Sequence, residues 1–141
     1  MDPKVVRSVL ERMHTYLSDL RSFVGTHWLE YCDNSTYRYA VERLMQLLVE
    51  CAMDINNHLL TDKGLLPGSS YADSFKKAAE NHFIPMDLAL RFKPALGLRN
   101  TLVHRYRDID DKIVFDSIPH LVQDIEEYIR AVSKMMPGTA P

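Results

Sequence analysis

Apolar side chains recur every three or four residues along most of this chain, and this period predicts α-helices rather than strands. The first series of apolar residues at this spacing, which would form one apolar stripe along a helix, follows Asp2 and Pro3. These two residues are typical of a helix N-cap and of the first helical position. We expect this helix to end near Gly25 and a second, longer helix to end near Thr61. The two stripes consist of Val6, Leu10, Met13, Leu17, Leu20 and Val24, and of Tyr37, Val41, Leu44, Leu48, Cys51, Ile55 and Leu59.

The middle of the chain predicts further helices and one irregularity. Ser70, followed three residues later by Asp73, resembles a capping box and indicates a short helix over residues 71–82. Pro85 can open the next helix. Pro94 lies inside that helix, where a proline cannot donate its backbone hydrogen bond and its ring crowds the preceding turn. We therefore expect a kink or a break near Pro94.

The C-terminal part predicts one more long helix after a connector at residues 108–115. A brief extended piece is expected at residues 113–115. Ser117 is then expected to cap the helix, with Pro119 tolerated in its first turn. The apolar stripe of this helix consists of Ile118, Leu121, Val122, Ile125, Ile129 and Val132. Together these segments predict an all-α bundle of four to five main helices.

Length and composition fit one folded domain. The chain has 141 residues, of which 46% are hydrophobic and 26% are charged. We expect residues 1–136 to form the helical domain and residues 137–141 to form a loose tail. Two cysteines, Cys32 and Cys51, are too few for a disulfide framework and lack the spacing of a zinc site, so we expect both thiols to be inert. No apolar run approaches the roughly 20 residues of a membrane span, and no signal peptide is recognisable, so we expect a cytoplasmic protein without a membrane partner.

Basic residues are concentrated in one segment of a chain whose formal net charge is −2. Residues 88–107 contain no acid, and acids resume at Asp108. Such a balance argues against coating nucleic acid by bulk charge, and it indicates a local anion site instead. The basic residues of this segment are Arg91, Lys93, Arg99, Arg105 and Arg107. Of these we expect Arg91, Lys93, Arg105 and Arg107 to contact phosphates.

Polar side chains within the same segment have a spacing that can carry chemistry. Asn100 and His104 are four residues apart, so they share one helical face, and the amide can hold the imidazole in one orientation. Arg99 lies roughly 140° around an ideal helix from His104, which does not make a tight pair on one helix. A second copy of the segment could complete the site across a two-fold axis, or kinking near Pro94 and Gly97 could adjust it.

Arginine and histidine together suit metal-free cleavage of RNA, in which the 2′-hydroxyl attacks the adjacent phosphate. His104 would act as general base or general acid. Arg99 would stabilise the charge that develops on the phosphate oxygens. A histidine at a helix end is also a common capping or dipole partner, so the spacing alone is not specific for catalysis. No histidine pair has metal-ligand spacing on a helix, and we expect neither a metal nor a cofactor.

Residues 99–106 read Arg-Asn-Thr-Leu-Val-His-Arg-Tyr. This segment resembles the motif of the HEPN superfamily, in which Arg, often followed by Asn, precedes His-x-Tyr by four to six residues. Within the superfamily the chain is similar to the HepT group, the toxins of HepT–MNT toxin–antitoxin systems. The similarity extends to the long helix over residues 39–60, to the helix start at residues 70–75 and to the stripe over residues 125–132.

This resemblance implies an all-α HEPN bundle that forms a homodimer. It implies a metal-independent endoribonuclease acting on RNA such as tRNA or mRNA, with its site built from both copies. Arg99 and His104 carry over as catalytic residues and Asn100 as a supporting polar residue. Tyr106 carries over as the tyrosine that an MNT-type nucleotidyltransferase antitoxin modifies with AMP. The added bulk and negative charge, two residues from His104, would repel RNA.

One other class of function stays open. The chain could be a non-catalytic helical accessory subunit that binds a nucleotidyltransferase and helps to present its substrate. It lacks a phosphate-cradling glycine loop and the paired acids that would bind magnesium for nucleotide transfer. The sequence therefore favours a target of adenylylation over an adenylylating enzyme.

Overall fold

The computed structural model describes residues 2–136 and shows an all-α fold in that range. Seven α-helices and one short 3-10 turn, Tyr106–Asp108, make up the described chain. Five of the helices have ten or more residues, which confirms the predicted number of main helices. In chain order they are α1 (Pro3–Arg21), α2 (Trp28–Cys32), α3 (Ser35–Asp62), α4 (Tyr71–Glu80), α5 (Met86–Arg91), α6 (Lys93–His104) and α7 (Asp111–Ser133).

The long helix α3 forms the centre of the bundle and contacts α1, α2, α4, α6 and α7. Its buried positions repeat with the helical period, because one broad face of the helix is covered by these neighbours. The predicted stripe of α7 is buried over its whole length. The Cys51 thiol lies in the core on α3, and burial raises its pKa, as expected for an inert thiol. None of the described helices is long and apolar enough to cross a membrane.

The predicted irregularity near Pro94 is a break between two helices. Helix α5 ends at Arg91, Phe92 is fully buried at the junction, and α6 begins at Lys93. Pro94 then lies in the first turn of α6, where the backbone N–H has no partner within the helix in any case. The break lets α6 take its own direction from a buried aromatic anchor.

Two predicted helix boundaries are wrong, and local capping explains one of them. Helix α7 begins at Asp111 rather than near Ser117, because the Asp110 carboxylate accepts the backbone N–H groups of Lys112 and Ile113 at 3.0 and 3.3 Å. Residues 113–115 are therefore helical rather than extended. Ser117 lies inside the helix, where its hydroxyl donates to the Val114 carbonyl at 2.7 Å.

The other wrong boundary is the end of the first helix. Helix α1 ends at Arg21, four residues before Gly25, and a turn follows it. Val24, which continues the apolar stripe in the sequence, is therefore exposed. The predicted tail at residues 137–141 lies outside the described residues, so the domain boundary at 136 stays a prediction.

A buried polar network ties α4 to α3 and α7. The Tyr128 hydroxyl lies 2.6 Å from Asn56 Oδ1 and 2.9 Å from the Ala52 carbonyl. The Asn56 amide donates to Ser74 Oγ at 3.4 Å, and that hydroxyl donates to the Tyr71 carbonyl at 2.8 Å. Because buried polar groups are costly unless they are paired, this network fixes where α4 begins.

Candidate functional site

A cleft of about 490 Å³ lies between the start of α4 and helix α6. Helix α6 contributes Lys93, Arg99, Asn100 and His104 to its lining, and α4 contributes Tyr71. The structure thus brings the three motif residues Arg99, Asn100 and His104 to one cleft within a single chain. The angular separation on α6 predicts no tight pair of Arg99 and His104, and both side chains nevertheless line the same cleft.

The start of α4 is held in place by two reciprocal bonds. The Ser70 hydroxyl accepts the backbone N–H of Asp73 at 3.1 Å, as the predicted capping box requires. The Asp73 carboxylate accepts the backbone N–H of Ser69 at 2.8 Å rather than that of Ser70. This hydrogen bond, and the neighbouring Lys77, lower the pKa of Asp73. The cap is therefore anionic at neutral pH and fixes Tyr71 at the rim of the cleft.

Arg99 is the least exposed of the motif side chains, with 14% of its side chain accessible. Its Nε and Nη2 atoms donate to Glu50 Oε2 on α3 at 3.3 and 3.0 Å. Its guanidinium carbon lies 4.2 Å from the centre of the Tyr71 ring. Residues from three helices therefore fix the position of this guanidinium, whose remaining N–H donors suit the geometry of a phosphate.

His104 is the last residue of α6, and its side chain is exposed. The helix ends here because Arg105 leaves the helical region, with φ −135° and ψ 46°, after donating its N–H to the Thr101 carbonyl. Asn100 lies one turn earlier and lines the same cleft. An exposed imidazole at a helix end can exchange protons with solvent or with a bound substrate.

Tyr106 follows in the 3-10 turn and faces a separate recess of about 170 Å³ beside the long helix α3. Tyr39, Glu42 and Arg43 of α3 also line this recess. The phenol is 56% exposed, so a partner protein can reach it. Loss of hydration and the nearby Glu42 carboxylate raise the pKa of Tyr106, so its hydroxyl is protonated at neutral pH.

Among the described residues, Glu42 is the charged residue that is buried, with 7% of its surface exposed. Burial, and the neighbouring Asp111, raise its pKa, whereas a side-chain hydrogen bond with Tyr106 and the charge of Arg38 oppose the rise. The Glu42 carboxylate of α3 therefore lies beside the phenol of Tyr106, the candidate for modification.

The remaining basic residues of the segment have different surroundings. Lys93 lines the cleft with the motif residues. Arg91 instead pairs with Glu127 and with Asp124, the latter at 3.5 Å, on α7. Arg105 forms an exposed pair with Asp108 at 3.3 Å. Arg107 is exposed in the 3-10 turn.

Sequence reasoning singled out neither Glu50 nor Tyr71 as site residues. Glu50 lies 49 residues before Arg99, so no local spacing connects the two. Tyr71 occurs in a segment that signals a helix start and carries no sign of a stacking role. The signal that could have found them is an acid and an aromatic on helices flanking a basic motif. Among residues 2–136, no group of three or more His, Cys, Asp or Glu side chains is arranged to hold a metal ion.

Comparison with known proteins places this chain in a family. The family model described as Ribonuclease HepT-like matches residues 13–132. A tRNA nuclease HepT from Aphanizomenon flos-aquae is 32% identical over 138 residues, which span 96% of this chain and 92% of the relative. An mRNA nuclease HepT from Shewanella oneidensis is 33% identical over 88 residues, which span 62% of this chain and 66% of the relative.

Solved structures give the same result at the level of the fold. The tri-AMPylated HEPN toxin of Shewanella oneidensis, in complex with MNT antitoxin, matches with a TM-score of 0.84 at 25% identity. That match covers 95% of this chain and 98% of the toxin chain. From the family model and from a relative of 32% identity over nearly the full length, the chain belongs to the HepT-like ribonuclease family of HEPN toxins.

Proposed function

We propose that this chain is the toxin of a toxin–antitoxin system and acts as a metal-independent endoribonuclease. The observation that carries the proposal is the shared cleft of Arg99, Asn100 and His104, with Lys93 at the same surface. A fixed guanidinium, an exposed imidazole and a further cation are the groups that cleavage at an RNA phosphate needs. Relatives named as tRNA and mRNA nucleases support RNA as the substrate class.

In the proposed reaction, the 2′-hydroxyl of RNA attacks the adjacent phosphorus, and the bond from phosphorus to the next 5′-oxygen breaks. The products are a 2′,3′-cyclic phosphate and a 5′-hydroxyl end. His104 either takes the proton from the 2′-hydroxyl or gives a proton to the leaving oxygen. Arg99 stabilises the charge on the phosphate oxygens, and Asn100 orients the imidazole.

We propose that the active form is a homodimer that brings two of these clefts together. One imidazole cannot remove one proton and donate another in the same step, whereas two copies of His104 can divide the roles of base and acid. The exposed position of His104 at the end of α6 supports this arrangement, because a second copy can approach it. Lys93, Arg91, Arg105 and Arg107 would then contact flanking phosphates.

Control by a nucleotidyltransferase antitoxin is the regulatory part of the proposal. A structural relative is a tri-AMPylated HEPN toxin bound to MNT antitoxin. In this chain the corresponding candidate is Tyr106, a half-exposed phenol two residues after His104. AMP on this oxygen would add bulk and negative charge near the cleft and would repel the RNA backbone.

The test is RNA cleavage by purified protein in EDTA, with His104→Ala prepared in parallel. We expect the wild type to cleave total RNA that includes tRNA and to leave 2′,3′-cyclic phosphate ends. His104→Ala should lower the rate at least about 100-fold, since general acid–base groups contribute that much or more. His14→Ala, which removes an exposed histidine on α1, is the matched control and should cleave like the wild type.

Two results would contradict the proposal. Equal cleavage by wild type and His104→Ala would remove His104 from the chemistry. No cleavage by wild-type protein whose mass shows no AMP on Tyr106 would favour the non-catalytic accessory subunit of a nucleotidyltransferase.

A further inference from the structure

The guanidinium of Arg99 is held on one edge and on one face by residues from two other helices. Glu50 Oε2 accepts both Nε and Nη2, so the carboxylate covers one edge of the planar group. Tyr71 covers one face, with its ring centre 4.2 Å from the guanidinium carbon. We call Glu50 and Tyr71 the Arg99 clamp.

The clamp leaves a defined part of the guanidinium for a ligand. Both hydrogen bonds to Glu50 use the edge formed by Nε and Nη2. The edge formed by Nη1 and Nη2 is therefore available, and arginine binds phosphate through such an edge with two parallel N–H bonds. Arg99 lines the cleft with Asn100 and His104, so a phosphate that Arg99 binds in this cleft would lie beside the candidate acid–base group.

The surroundings of Glu50 make the clamp more rigid than an ordinary surface ion pair. The Gln46 side-chain amide donates to the same Glu50 Oε2 at 3.1 Å from one turn earlier on α3. Only 14% of the Arg99 side chain and 29% of the Glu50 side chain are exposed. Exposed ion pairs are weakened by solvent and by side-chain entropy, and partial burial reduces both effects. Gln46 and Glu50 of α3 thus together orient the guanidinium of Arg99 on α6.

We propose that Glu50 and Tyr71 are positioning residues for RNA cleavage, which hold Arg99 with one edge directed at the scissile phosphate. This inference rests on the proposed ribonuclease function. Neither residue needs to touch RNA, because both act through the guanidinium. Preorganised donors stabilise a transition state more than mobile ones do, since no orientation has to be acquired during the reaction.

The proposal predicts a specific split between kcat and KM. Removing the Glu50 carboxylate leaves the charge of Arg99 in place and removes a negative charge from its vicinity. RNA should therefore bind at least as well, and KM should not rise. The guanidinium loses its orientation, so kcat should fall about tenfold or more. A merely structural role for Glu50 would instead lower the concentration of active protein and the melting temperature.

The kinetic test compares Glu50→Ala and Glu50→Gln with a matched control, Glu80→Gln. Glu80 forms an exposed pair with Lys76 on α4, so its substitution removes one acid without touching the cleft. We expect kcat to fall in the order wild type, Glu50→Gln, Glu50→Ala, since glutamine keeps a hydrogen-bond acceptor without the charge. Tyr71→Phe should restore most of the kcat lost in Tyr71→Ala, because the ring face is kept. Unchanged kcat in Glu50→Ala would overturn the proposal.

Hydrogen exchange of the Arg99 side chain tests the clamp independently of RNA cleavage. In isotope-labelled protein, the Arg99 Nε–H signal should be protected from exchange with water, and it is assigned by its loss in Arg99→Lys. Glu50→Ala should abolish this protection, whereas Glu80→Gln should leave it intact. If the wild type protects this N–H but cleaves no RNA, the proposed function fails and the clamp stands. If the N–H exchanges freely in the wild type, the clamp is refuted whatever the protein cleaves.

Discussion

Two tyrosines are fully buried in the helical bundle, and their hydroxyl groups differ in what they contact. Tyr128 reaches Asn56 Oδ1 and the Ala52 carbonyl, so its hydroxyl is satisfied. The Tyr31 hydroxyl is buried without a hydrogen-bond partner among the described residues, while its ring packs against Trp28 and Phe115. Burial, with the negative charges of nearby carboxylates, raises the pKa of Tyr31, as expected for a phenol that cannot ionise there.

This difference predicts opposite effects for the same substitution. Tyr31→Phe should raise the free energy of unfolding by about 1 kcal/mol, because it removes an unpaired buried hydroxyl. Tyr128→Phe should lower it by about 1–3 kcal/mol, because Asn56 loses a buried partner. Urea denaturation of the two variants measures both changes, and each is the control for the other. A loss of stability in Tyr31→Phe would mean that its hydroxyl is paired in solution.

The position of Arg99 shows what residue-level sequence reasoning can and cannot reach. The motif around Arg99 and His104 is local, so its spacing is visible in the sequence. The groups that hold Arg99 come from distant segments, Glu50 on α3 and Tyr71 on α4. Only the packing of three helices brings them together, and no period or cap in the sequence encodes that contact.

The sequence predicts some helix ends correctly and others wrongly. Pro94 correctly indicates a break, because a proline interrupts helical hydrogen bonding wherever it lies. The start of α7 is predicted seven residues late, because Ser117 and Asp110 are both good caps and only the second is used. Choosing between two acceptable caps depends on which one lets the whole apolar stripe pack, and that is decided by tertiary contacts.

The turn that follows α4 contains a strained residue. His82 has φ 62°, and it is the non-glycine residue with positive φ among the described residues. The turn closes α4 through bonds from His82 N to the Ala79 carbonyl and from Phe83 N to the Ala78 carbonyl. A side chain with a Cβ is disfavoured in this conformation, whereas glycine is not.

His82→Gly should therefore raise the free energy of unfolding by up to about 1 kcal/mol. This gain is the backbone strain that glycine relieves, reduced by the larger conformational entropy that glycine gives the unfolded chain. His82→Ala is the matched control, because it removes the imidazole and keeps the Cβ, and it should give no such gain. Thermal unfolding followed by circular dichroism measures both variants. A lower melting temperature in His82→Gly would show that the imidazole itself stabilises the turn.

At the scale of the whole molecule, the chain carries two neighbouring surfaces for which we propose separate tasks. The cleft between α4 and α6 holds Arg99, Asn100 and His104, and the recess against α3 holds Tyr106 with Tyr39. The 3-10 turn after α6 connects the cleft to the recess. A group added to Tyr106 would therefore start in the recess and lie close to the cleft. Catalysis and its control are therefore predicted to be separable by mutation.

Tyr106→Phe should keep the ribonuclease activity and escape modification, because the substitution removes the oxygen that we propose as the AMP acceptor and leaves the ring in place. Tyr39→Phe is a matched control, since Tyr39 lines the same recess and is 57% exposed, against 56% for Tyr106. The measurement treats each protein with nucleotidyltransferase antitoxin and ATP, and then records intact mass and RNA cleavage. Only Tyr39→Phe and the wild type should gain AMP and lose activity. AMP on Tyr106→Phe, with loss of activity, would place the modified oxygen elsewhere, and Tyr39, the neighbouring exposed phenol of the recess, would be the next to test.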